Sequence, residues 1–446
     1  MGNQLASEII KKEVMRCNRC GLCQDACPTY RATGEEMAVA RGRNRMLRMA
    51  VDGQIEFEKE PAVFKMVDAC LLCKSCVVNC PSNVATDKIM LAARSAWCRS
   101  HGLSLLQRML YRGVFSHSNR TRFLNKLARF YQKSGTRWLV RKSGLAGASQ
   151  GLRAAEAMLP AEISPNVRQV LLEKPLAKGT GPQVTYFLGC AVENLVGNIG
   201  LATLDLLEAL HCQVTIPDTN CCGAPHHNSG DQEEAVRLAL KNVSLLVEKT
   251  SGPIITDCAT CSNSLKEYPQ WLAAPAESSA QVMALRVKDV TSWLAEQGLS
   301  TEKLAPLPIT VTYHDPCHLV RGLKVKEAPR KVLGFIPGLR LVEMKEADMC
   351  CGGAGSFSIT HPELSRQVLK RKINNIMQTG AEAVVTSCPA CTMQLTYGLK
   401  LFGLPLPVLH PVQLAIFSLF LAGGLVQPRT NLGALSKLVP TLGSVG

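Results

Sequence analysis

Eight cysteines near the N-terminus form two sets with the same spacing. Each set reads C-x2-C-x2-C-x3-C and is followed at once by a proline. In such a run, three cysteines hold one [4Fe–4S] cube and the fourth crosses to the cube of the other run. We therefore expect one cube on Cys17, Cys20, Cys23 and Cys80. We expect the other cube on Cys70, Cys73, Cys76 and Cys27.

Zinc or uncomplexed thiols are the alternative for these eight cysteines. Zinc sites of this kind use two C-x2-C pairs, whereas both sets here contain four cysteines and end in Cys-Pro. The connection between the sets, which includes Glu36–Ala50, is rich in helix-forming residues. It looks like the helical ferredoxin domain of respiratory dehydrogenase subunits, and we expect that domain over residues 1–97.

Ten further cysteines form a five-cysteine pattern that occurs twice. In each copy a single cysteine precedes a Cys-Cys-Gly triplet and then a C-x2-C pair. The first copy has Cys190, Cys221, Cys222, Cys258 and Cys261. The second copy has Cys317, Cys350, Cys351, Cys388 and Cys391. A separation of 127 residues from Cys190 to Cys317 indicates a duplicated domain, because solenoid repeats are shorter.

Short apolar runs precede the cysteines in both copies, and helical patterns lie between them. The predicted strands are Val184–Leu188, Ile254–Thr256, Ile309–Tyr313 and Ala383–Thr386, and the predicted helices include Asn198–Leu210, Asp231–Lys249 and Glu363–Met377. This alternation predicts parallel α/β domains over 181–307 and 308–446. Ligands of such sheets bind at the carboxyl ends of the strands, where these cysteines occur.

Five thiolates exceed what one tetrahedral zinc ion needs, and two adjacent cysteines suit a larger, asymmetric cluster. The glycine after each pair, Gly223 or Gly352, allows an unusual φ or a close backbone approach. A four-cysteine zinc site with a spare thiol is the alternative for either copy.

Together these motifs resemble the glycolate oxidase iron–sulfur subunit family from about Glu8 to Pro411. The iron–sulfur subunits of D-lactate and anaerobic glycerol-3-phosphate dehydrogenases and the catalytic subunit of heterodisulfide reductase are related. The resemblance implies two cysteine-rich (CCG) domains, each with a noncubane [4Fe–4S] cluster on its five cysteines. Some relatives carry zinc or nothing in one copy.

By the same resemblance, the expected function is electron transfer in a flavin-dependent dehydrogenase of glycolate or D-lactate. FAD is expected on a partner subunit, and quinone or an electron-transfer flavoprotein is the expected acceptor. Reduction of a disulfide at a noncubane cluster, as in heterodisulfide reductase, is the rival function. A zinc-bearing assembly scaffold, with only the cubes redox-active, is a third hypothesis.

The sequence shows no site for oxidising an organic substrate within this chain, so catalytic residues remain unknown. Gly352–Gly355 follows Cys-Cys rather than an apolar strand, which argues against a dinucleotide fingerprint. Histidines near the cysteines are candidate proton relays, but we favour backbone hydrogen bonding for each of them: His226, His227, His314 and His318. Arg321 either compensates cluster charge or lies on a helix surface. Cys98 and Cys212, outside the sets, are expected to be small buried hydrophobic residues.

The net charge of +15 is concentrated between Lys88 and Ala155, which contains 14 basic and no acidic residues. We expect a basic helical linker over 98–180, with helical pieces at Leu103–Phe115 and Arg120–Trp138. Its partner is either an anionic membrane surface or an acidic subunit. Nucleic acid is disfavoured, because no binding motif is recognisable.

The length and composition fit several packed domains. The chain has 446 residues, of which 46% are apolar and 19% charged, which excludes wholesale disorder. Met1–Arg16 lacks the apolar core of a signal peptide, and Leu414–Val426 is too short to cross a bilayer. We expect a closing core helix at Leu414–Val426 and a cytoplasmic protein at the inner face of the membrane.

Overall fold

A computed structural model describes residues 2–134, 136–142, 156–157, 159–160, 162–219, 221–248, 250–423, 428–431 and 433. Residues 2–101 form the predicted helical domain and contain no strand. Its helices are Gly2–Met15, Leu22–Ala26, Pro28–Thr33, Ala40–Val51, Pro61–Asp68, Ser75–Val78 and Thr86–His101, with 3₁₀ turns at Glu36–Ala38 and Phe57–Lys59. The helical stretch predicted between the cysteine sets is interrupted, because Val39 is extended with φ −119°.

The core of this domain lies under its first and last helices. Val14, Leu47, Ile89, Met90 and Ala93 are almost completely buried in one apolar cluster. The cysteine loops before Leu22 and Ser75 therefore rest on a packed helical base, and they are not free coils.

Most of the described part of the basic segment between residues 105 and 142 is helical, and one further helix lies at 167–173. Its helices are Leu105–Leu110, Ser118–Lys133, Thr136–Lys142 and Val167–Glu173, with a π turn at Tyr111–Phe115. Ser104 caps the first of them through the Gln107 backbone N–H. Arg153, one of the 14 predicted basic residues, lies outside the described residues.

Two four-stranded parallel sheets follow, with the same topology. The first contains β1 (Gln183–Tyr186), β2 (Gln213–Thr215), β3 (Ile254–Thr256) and β4 (Val287–Asp289), in the order β2-β1-β3-β4. The second contains β5 (Thr310–Tyr313), β6 (Arg340–Leu341), β7 (Ala383–Val385) and β8 (Val408–Leu409), in the order β6-β5-β7-β8. All neighbouring strands are parallel. The predicted duplicated α/β architecture is confirmed.

Helices connect the strands in both copies. In the first copy they are Cys190–Asn194, Gly197–Ala209, Ala224–Ser229, Gln232–Glu248, Ala259–Trp271, Ala276–Arg286 and Val290–Gln297. A 3₁₀ turn at Thr301–Lys303 leads into the second copy. Its helices are Glu327–Gly334, Phe357–Thr360, Pro362–Met377, Pro389–Leu401 and Pro411–Leu421, with a π turn at His318–Gly322.

The two copies share one hydrophobic core and pack reciprocally. Helix Gly197–Ala209 of the first copy packs on Pro411–Leu421 of the second. The equivalent helix Glu327–Gly334 of the second copy packs on Val290–Gln297 of the first. The copies are thus related by a pseudo-twofold axis.

Helix Pro411–Leu421 closes this shared core, with Leu414, Ala415 and Ile416 completely buried. This is the role expected for the C-terminal apolar stretch, although residues 424–426 of that stretch lie outside the described residues. Among the helices described, none has the length and apolar character needed to cross a membrane.

The helical domain docks against both copies through ion pairs. Arg31 Nη1 lies 2.5 Å from Glu346 Oε1 of the second copy. Lys74 Nζ lies 2.6 Å from Glu267 Oε1 of the first copy. Arg94 also donates to the Asn228 carbonyl at 2.7 Å. These contacts attach the helical domain to both copies of the α/β unit.

Candidate metal centres

The first four-cysteine site comprises Cys17, Cys20, Cys23 and Cys80. These residues line one pocket, together with Pro81 and Val84. Gly21, between Cys20 and Cys23, has φ +88°, a conformation that favours glycine. Cys20 is exposed, so this site is close to the protein surface.

The second four-cysteine site comprises Cys27, Cys70, Cys73 and Cys76. They line a second pocket. Cys76 also lines the cavity of the first site, so the two sites are neighbours. The structure brings together the two groups of four that the crossing pattern predicts.

Buried arginines fix the loop that carries the second site. Arg43 donates to the carbonyls of Met66 at 2.7 Å and Ala69 at 3.0 Å. Arg94 donates to the Cys70 carbonyl at 2.6 Å. Sequence reasoning missed both arginines, because each lies more than twenty residues from the loop it supports.

The first five-cysteine site lies at the carboxyl ends of β1 and β3 and comprises Cys190, Cys221, Cys222, Cys258 and Cys261. Cys190 Sγ is 3.6 Å from Cys221 Sγ. The pair is held through its carbonyls: Asn242 donates to that of Cys221 at 3.1 Å and Tyr268 to that of Cys222 at 3.0 Å. Gly223 has φ +79°. This is the unusual backbone conformation that we predicted for the glycine after the cysteine pair.

The second five-cysteine site occupies the same position on the second sheet and comprises Cys317, Cys350, Cys351, Cys388 and Cys391. Cys351 Sγ and Cys391 Sγ are 3.6 Å apart. Gly352 has φ +84°, matching Gly223. Ser365 donates to the Gly352 carbonyl at 2.9 Å, which holds the turn after the cysteine pair.

The two five-cysteine sites touch each other. The pKa of the Cys388 thiol is lowered, first by its interaction with the Cys258 thiol of the other site. Thr260, beside Cys258, has its hydroxyl 3.7 Å from Cys388 Sγ and 3.0 Å from His318 Nδ1. The Ala259 N–H donates to the Ser387 carbonyl at 3.2 Å. The carboxyl ends of the two sheets therefore face each other across the pseudo-twofold axis.

The second four-cysteine site touches the second five-cysteine site. Cys73 and Leu71 pack in one apolar cluster with Cys350 and Phe357. Arg321, whose side chain is 6% exposed, donates to the Cys73 carbonyl at 3.3 Å and to Asp348 at 2.8 Å. The four sites thus form a row, from the first four-cysteine site to the first five-cysteine site.

Burial and crowding shift the thiol pKa values along this row. The pKa of Cys73 is raised, first by burial and then by the negative charge of Cys350. The pKa of Cys350 is lowered, because the thiols of Cys317 and Cys351 hydrogen-bond to it. Burial alone would lower the Arg321 pKa, but the negative charges of Cys73 and Asp348 raise it. A guanidinium therefore lies between two groups of potential thiolates.

Three of the four singled-out histidines have ordinary partners. His226 is buried between Asp231 at 3.1 Å and Ser116 at 3.2 Å. His227 bonds to Gln232 at 2.8 Å, and burial lowers its pKa to about 4. His318 is held by Thr260. These bonds to neighbouring side chains fit a structural role, whereas we predicted backbone bonds.

Within the described residues, neither ring nitrogen of His314 makes a hydrogen bond. The side chain is completely buried. Of the two cysteines outside the sets, Cys212 is buried in the core, as predicted. Cys98 is only half-buried, because its helix end lies near the surface.

Some arginines of the basic segment form ion pairs with carboxylates of the same chain. Arg112 pairs with Asp231 at 2.7 Å, and Arg122 pairs with Glu193 at 2.8 Å. Both carboxylates belong to the first copy. From the sequence we expected the partner of this segment only in another molecule, because sequence spacing does not place the linker against this domain.

All twenty cysteines are free thiols, and eighteen lie in the four sites. Thiols grouped in fours and fives have the donor chemistry that iron–sulfur clusters require. Known families agree: a 4Fe-4S dicluster domain family matches residues 13–84, and a cysteine-rich domain family matches residues 184–266 and 311–396. The fold and sites define an iron–sulfur protein with a ferredoxin domain and two CCG domains.

Similarity to known proteins shows to which family of iron–sulfur proteins the chain belongs. The linker region of the glycolate oxidase iron-sulfur subunit matches residues 102–159. A probable glycolate oxidase iron-sulfur subunit of Bacillus subtilis is 32% identical over 90% of this chain and 93% of its own length. The chain belongs to the glycolate oxidase iron–sulfur subunit family.

Two other relatives cover half of the chain. Lactate utilization protein A of an Exiguobacterium species is 32% identical over 51% of this chain and 95% of its own length. A fumarate reductase (CoM/CoB) subunit from Methanothermobacter marburgensis is 34% identical over 51% of this chain and 45% of its own length. Together with the family match, these relatives show that this chain is an oxidoreductase iron–sulfur subunit.

Proposed function

We propose that the chain carries electrons from a flavin subunit that oxidises a 2-hydroxyacid, glycolate or D-lactate, to quinone or an electron-transfer flavoprotein. The observation that carries this proposal is the row of four cysteine sites. Each site touches the next. Cys76 lines the pockets of both four-cysteine sites, and Cys73 packs in one cluster with Cys350. Thr260, beside Cys258, has its hydroxyl 3.7 Å from Cys388 Sγ. A row of one-electron carriers is what a subunit needs to split a two-electron oxidation into single transfers.

We assign one metal group to each of the four groups of cysteines. The first four-cysteine site would hold one [4Fe–4S] cube, and the second would hold the other. Each five-cysteine site would hold a noncubane [4Fe–4S] cluster, or zinc in one copy. When bound, such clusters supply one-electron redox chemistry. The chain itself orients the thiols, buries them and places Arg321 between two of the sites.

The first four-cysteine site is the proposed point of contact with the FAD subunit. It is the site with an exposed cysteine, Cys20. Leu22 beside it is 57% exposed and Met37 is 49% exposed, which gives a partner apolar surface to cover. Electrons would then leave from the first five-cysteine site, at the other end of the row.

Helix Ser118–Lys133 is the proposed membrane contact, at the inner face of the cytoplasmic membrane. Phe123, Leu127 and Phe130 are each more than half exposed on it, and Lys126, Arg129 and Lys133 add positive charge. Basic amphipathic helices with aromatic residues bind anionic membrane surfaces. No nucleic-acid partner is proposed.

Metal content tests the proposal most directly. The protein is purified anaerobically, and iron, sulfide and zinc are measured per chain with EPR on the same sample. We expect about sixteen irons, as four clusters of four irons require. About eight irons with one or two zincs would instead leave the five-cysteine sites structural, as in the scaffold hypothesis.

Flavin dependence is tested by adding glycolate or D-lactate with and without the FAD subunit. EPR signals of reduced clusters are expected only when the subunit is present. Reduction by the acid alone would contradict the need for a partner.

Disulfide reduction is the second candidate function. It is favoured by the similarity to a fumarate reductase (CoM/CoB) subunit and by the contact between the two five-cysteine sites. Turnover of a disulfide substrate with a reduced dye, in the absence of any flavin subunit, would support it over the first proposal.

A further inference from the structure

His314 is a buried polar side chain that has no role in the proposed function. It follows β5 directly, and its backbone N–H donates to the Val385 carbonyl at 2.9 Å. The ring is completely buried at the carboxyl end of the sheet. An imidazole without hydrogen bonds in such a place costs folding free energy, so it calls for another partner.

That partner is suggested by two neighbouring thiols. A ring nitrogen of His314, Cys351 Sγ and Cys391 Sγ all lie within 4.8 Å of one another. The two sulfurs are 3.6 Å apart. Atoms bound to one metal ion at about 2.0 to 2.3 Å must lie no more than about 4.6 Å apart, so the three atoms are close to a common coordination sphere.

The chemistry of the ring also suits a metal. A neutral imidazole has a free lone pair on one ring nitrogen, which can bind a metal ion. The nearby Ala347 carbonyl makes no hydrogen bond to the ring. It already accepts hydrogen bonds from Lys372 at 3.2 Å and from the Asp315 N–H at 3.0 Å.

The first copy contains a natural comparison. Phe187 occupies the position of His314, directly after β1, and its N–H donates to the Ile255 carbonyl at 2.9 Å. It is completely buried and packs in the apolar cluster that contains Cys221, Cys222, Cys258 and Cys261. The same backbone position therefore presents an inert ring to one five-cysteine site and a nitrogen donor to the other.

We infer that His314 is a nitrogen ligand of the metal group at the second five-cysteine site, which gives that site a mixed sulfur and nitrogen donor set that the first site lacks. This inference rests on the proposed metal occupancy of the second site. Replacement of thiolate by imidazole raises the potential of iron–sulfur centres, as in Rieske clusters. The two five-cysteine sites would then differ in reduction potential although their cysteines correspond one to one.

The test uses the full-length holoprotein labelled with ¹⁵N-histidine, after anaerobic purification. Pulsed EPR of the reduced protein is expected to show one strongly coupled histidine nitrogen. The signal should vanish in His314→Phe, which copies the first site, and persist in the control His361→Asn, which lies outside the cysteine groups. The midpoint potential of the second site should fall in His314→Phe, with at least a tenfold change in its redox equilibrium, ~59 mV for one electron.

The companion variant Phe187→His should introduce a second coupled nitrogen at the first site. If the second site holds zinc, zinc-edge X-ray absorption should show a nitrogen at about 2.0–2.1 Å that His314→Phe removes. A loaded second site without a coupled or bound histidine nitrogen would overturn the inference and leave the proposed function intact. A second site without metal in the wild type would overturn both. Metal content of each variant shows whether a lost signal reflects lost ligation or a lost cluster.

Discussion

The two copies of the α/β unit carry their cysteines at the same places but differ in the side chains at four equivalent positions of the unit. In the first copy these positions carry Phe187, Asn242, Asp257 and Asp289. The equivalent positions of the second copy carry His314, Lys372, Ser387 and His410. The first copy thus has neutral or acidic side chains at these positions, and the second has two histidines, a lysine and a serine. The potential of an iron–sulfur cluster depends on such neighbours, so identical ligand patterns need not give identical electron carriers.

Burial raises the pKa values of the acidic side chains at these positions of the first copy and lowers those of the basic side chains of the second. It raises the pKa of Asp257 to about 6 and that of Asp289 to about 7. It lowers the pKa of Lys372 to about 8 and that of His410 to about 3. In both copies burial therefore favours the uncharged form of these groups, and each copy does so with different side chains.

Removing an equivalent cysteine from each copy should have the largest effect. Cys222→Ser and Cys351→Ser each delete the second cysteine of an adjacent pair, so each should cost the metal of its own copy. Iron analysis should show a loss of about four irons per chain from about sixteen. Cys98→Ala, outside the sites, is the matched control and should retain all iron. Equal losses from both copies in either variant would mean that the sites do not load independently.

Replacing Arg321 should change the reduction potentials of the second copy and the second four-cysteine site but not that of the first copy. Arg321→Met removes the positive charge between Cys73 and Cys350, so the second copy and the second four-cysteine site should become harder to reduce. Redox titration followed by EPR should show a shift of about 59 mV, a tenfold change for one electron. The first five-cysteine site should not shift.

The exposed pair Arg366–Glu363 provides the charge control for that experiment. Arg366→Met removes an equal charge from the surface of the second copy, where solvent screens it. A shift as large as that of Arg321→Met would show that net charge, rather than the placement of Arg321, sets the potentials.

Asp289 should make stability fall as the pH rises. Its carboxyl is buried, accepts from the Thr291 N–H at 2.9 Å and faces Asp257 and Tyr313. Because its folded pKa of about 7 exceeds the unfolded value of about 3.9, its contribution is complete below pH 4 and is lost as the pH rises to 7. A difference of one between the folded and unfolded pKa corresponds to about 1.4 kcal/mol.

Chemical denaturation of wild type and Asp289→Asn between pH 4 and 8 measures this effect. The variant should show a flatter pH dependence of the free energy of unfolding, since its amide does not titrate. A wild-type stability that instead rises across the whole interval would contradict the assignment.

The ion pairs that hold the helical domain should give the smallest effects. Glu267→Gln breaks the attachment of Lys74 to the first copy, and Glu346→Gln breaks that of Arg31 to the second. Each should lower stability by about 1 kcal/mol, because the pairs are partly exposed. Glu346→Gln should cost more, since Glu346 also bonds to Arg371 and Asn375. Thermal melts compare the two, and metal content should not change.

Spacing and periodicity predicted the fold class, the duplication and the grouping of the cysteines, because each is a local or periodic property of the chain. The docking of the helical domain was not predictable, since Lys74 and Glu267 are 193 residues apart. Nor was the loop support by Arg43 and Arg94. His314 was singled out only for its place beside Cys317, and its approach to Cys351 and Cys391 depends on tertiary packing.

Reciprocal packing across the pseudo-twofold axis is the packing of an isologous dimer. In such a dimer every substitution appears on both sides, so one chain cannot place phenylalanine at one site and histidine at the other. Fusion into a single chain removes that restriction. The contact at the axis shows such a difference between the copies. Ala259 of the first copy donates its N–H to the Ser387 carbonyl of the second. The symmetry-related bond cannot form, because the second copy has Pro389 at the position of Ala259, and proline has no N–H. Two binding pockets that began as copies are thereby free to specialise for successive steps of one electron path.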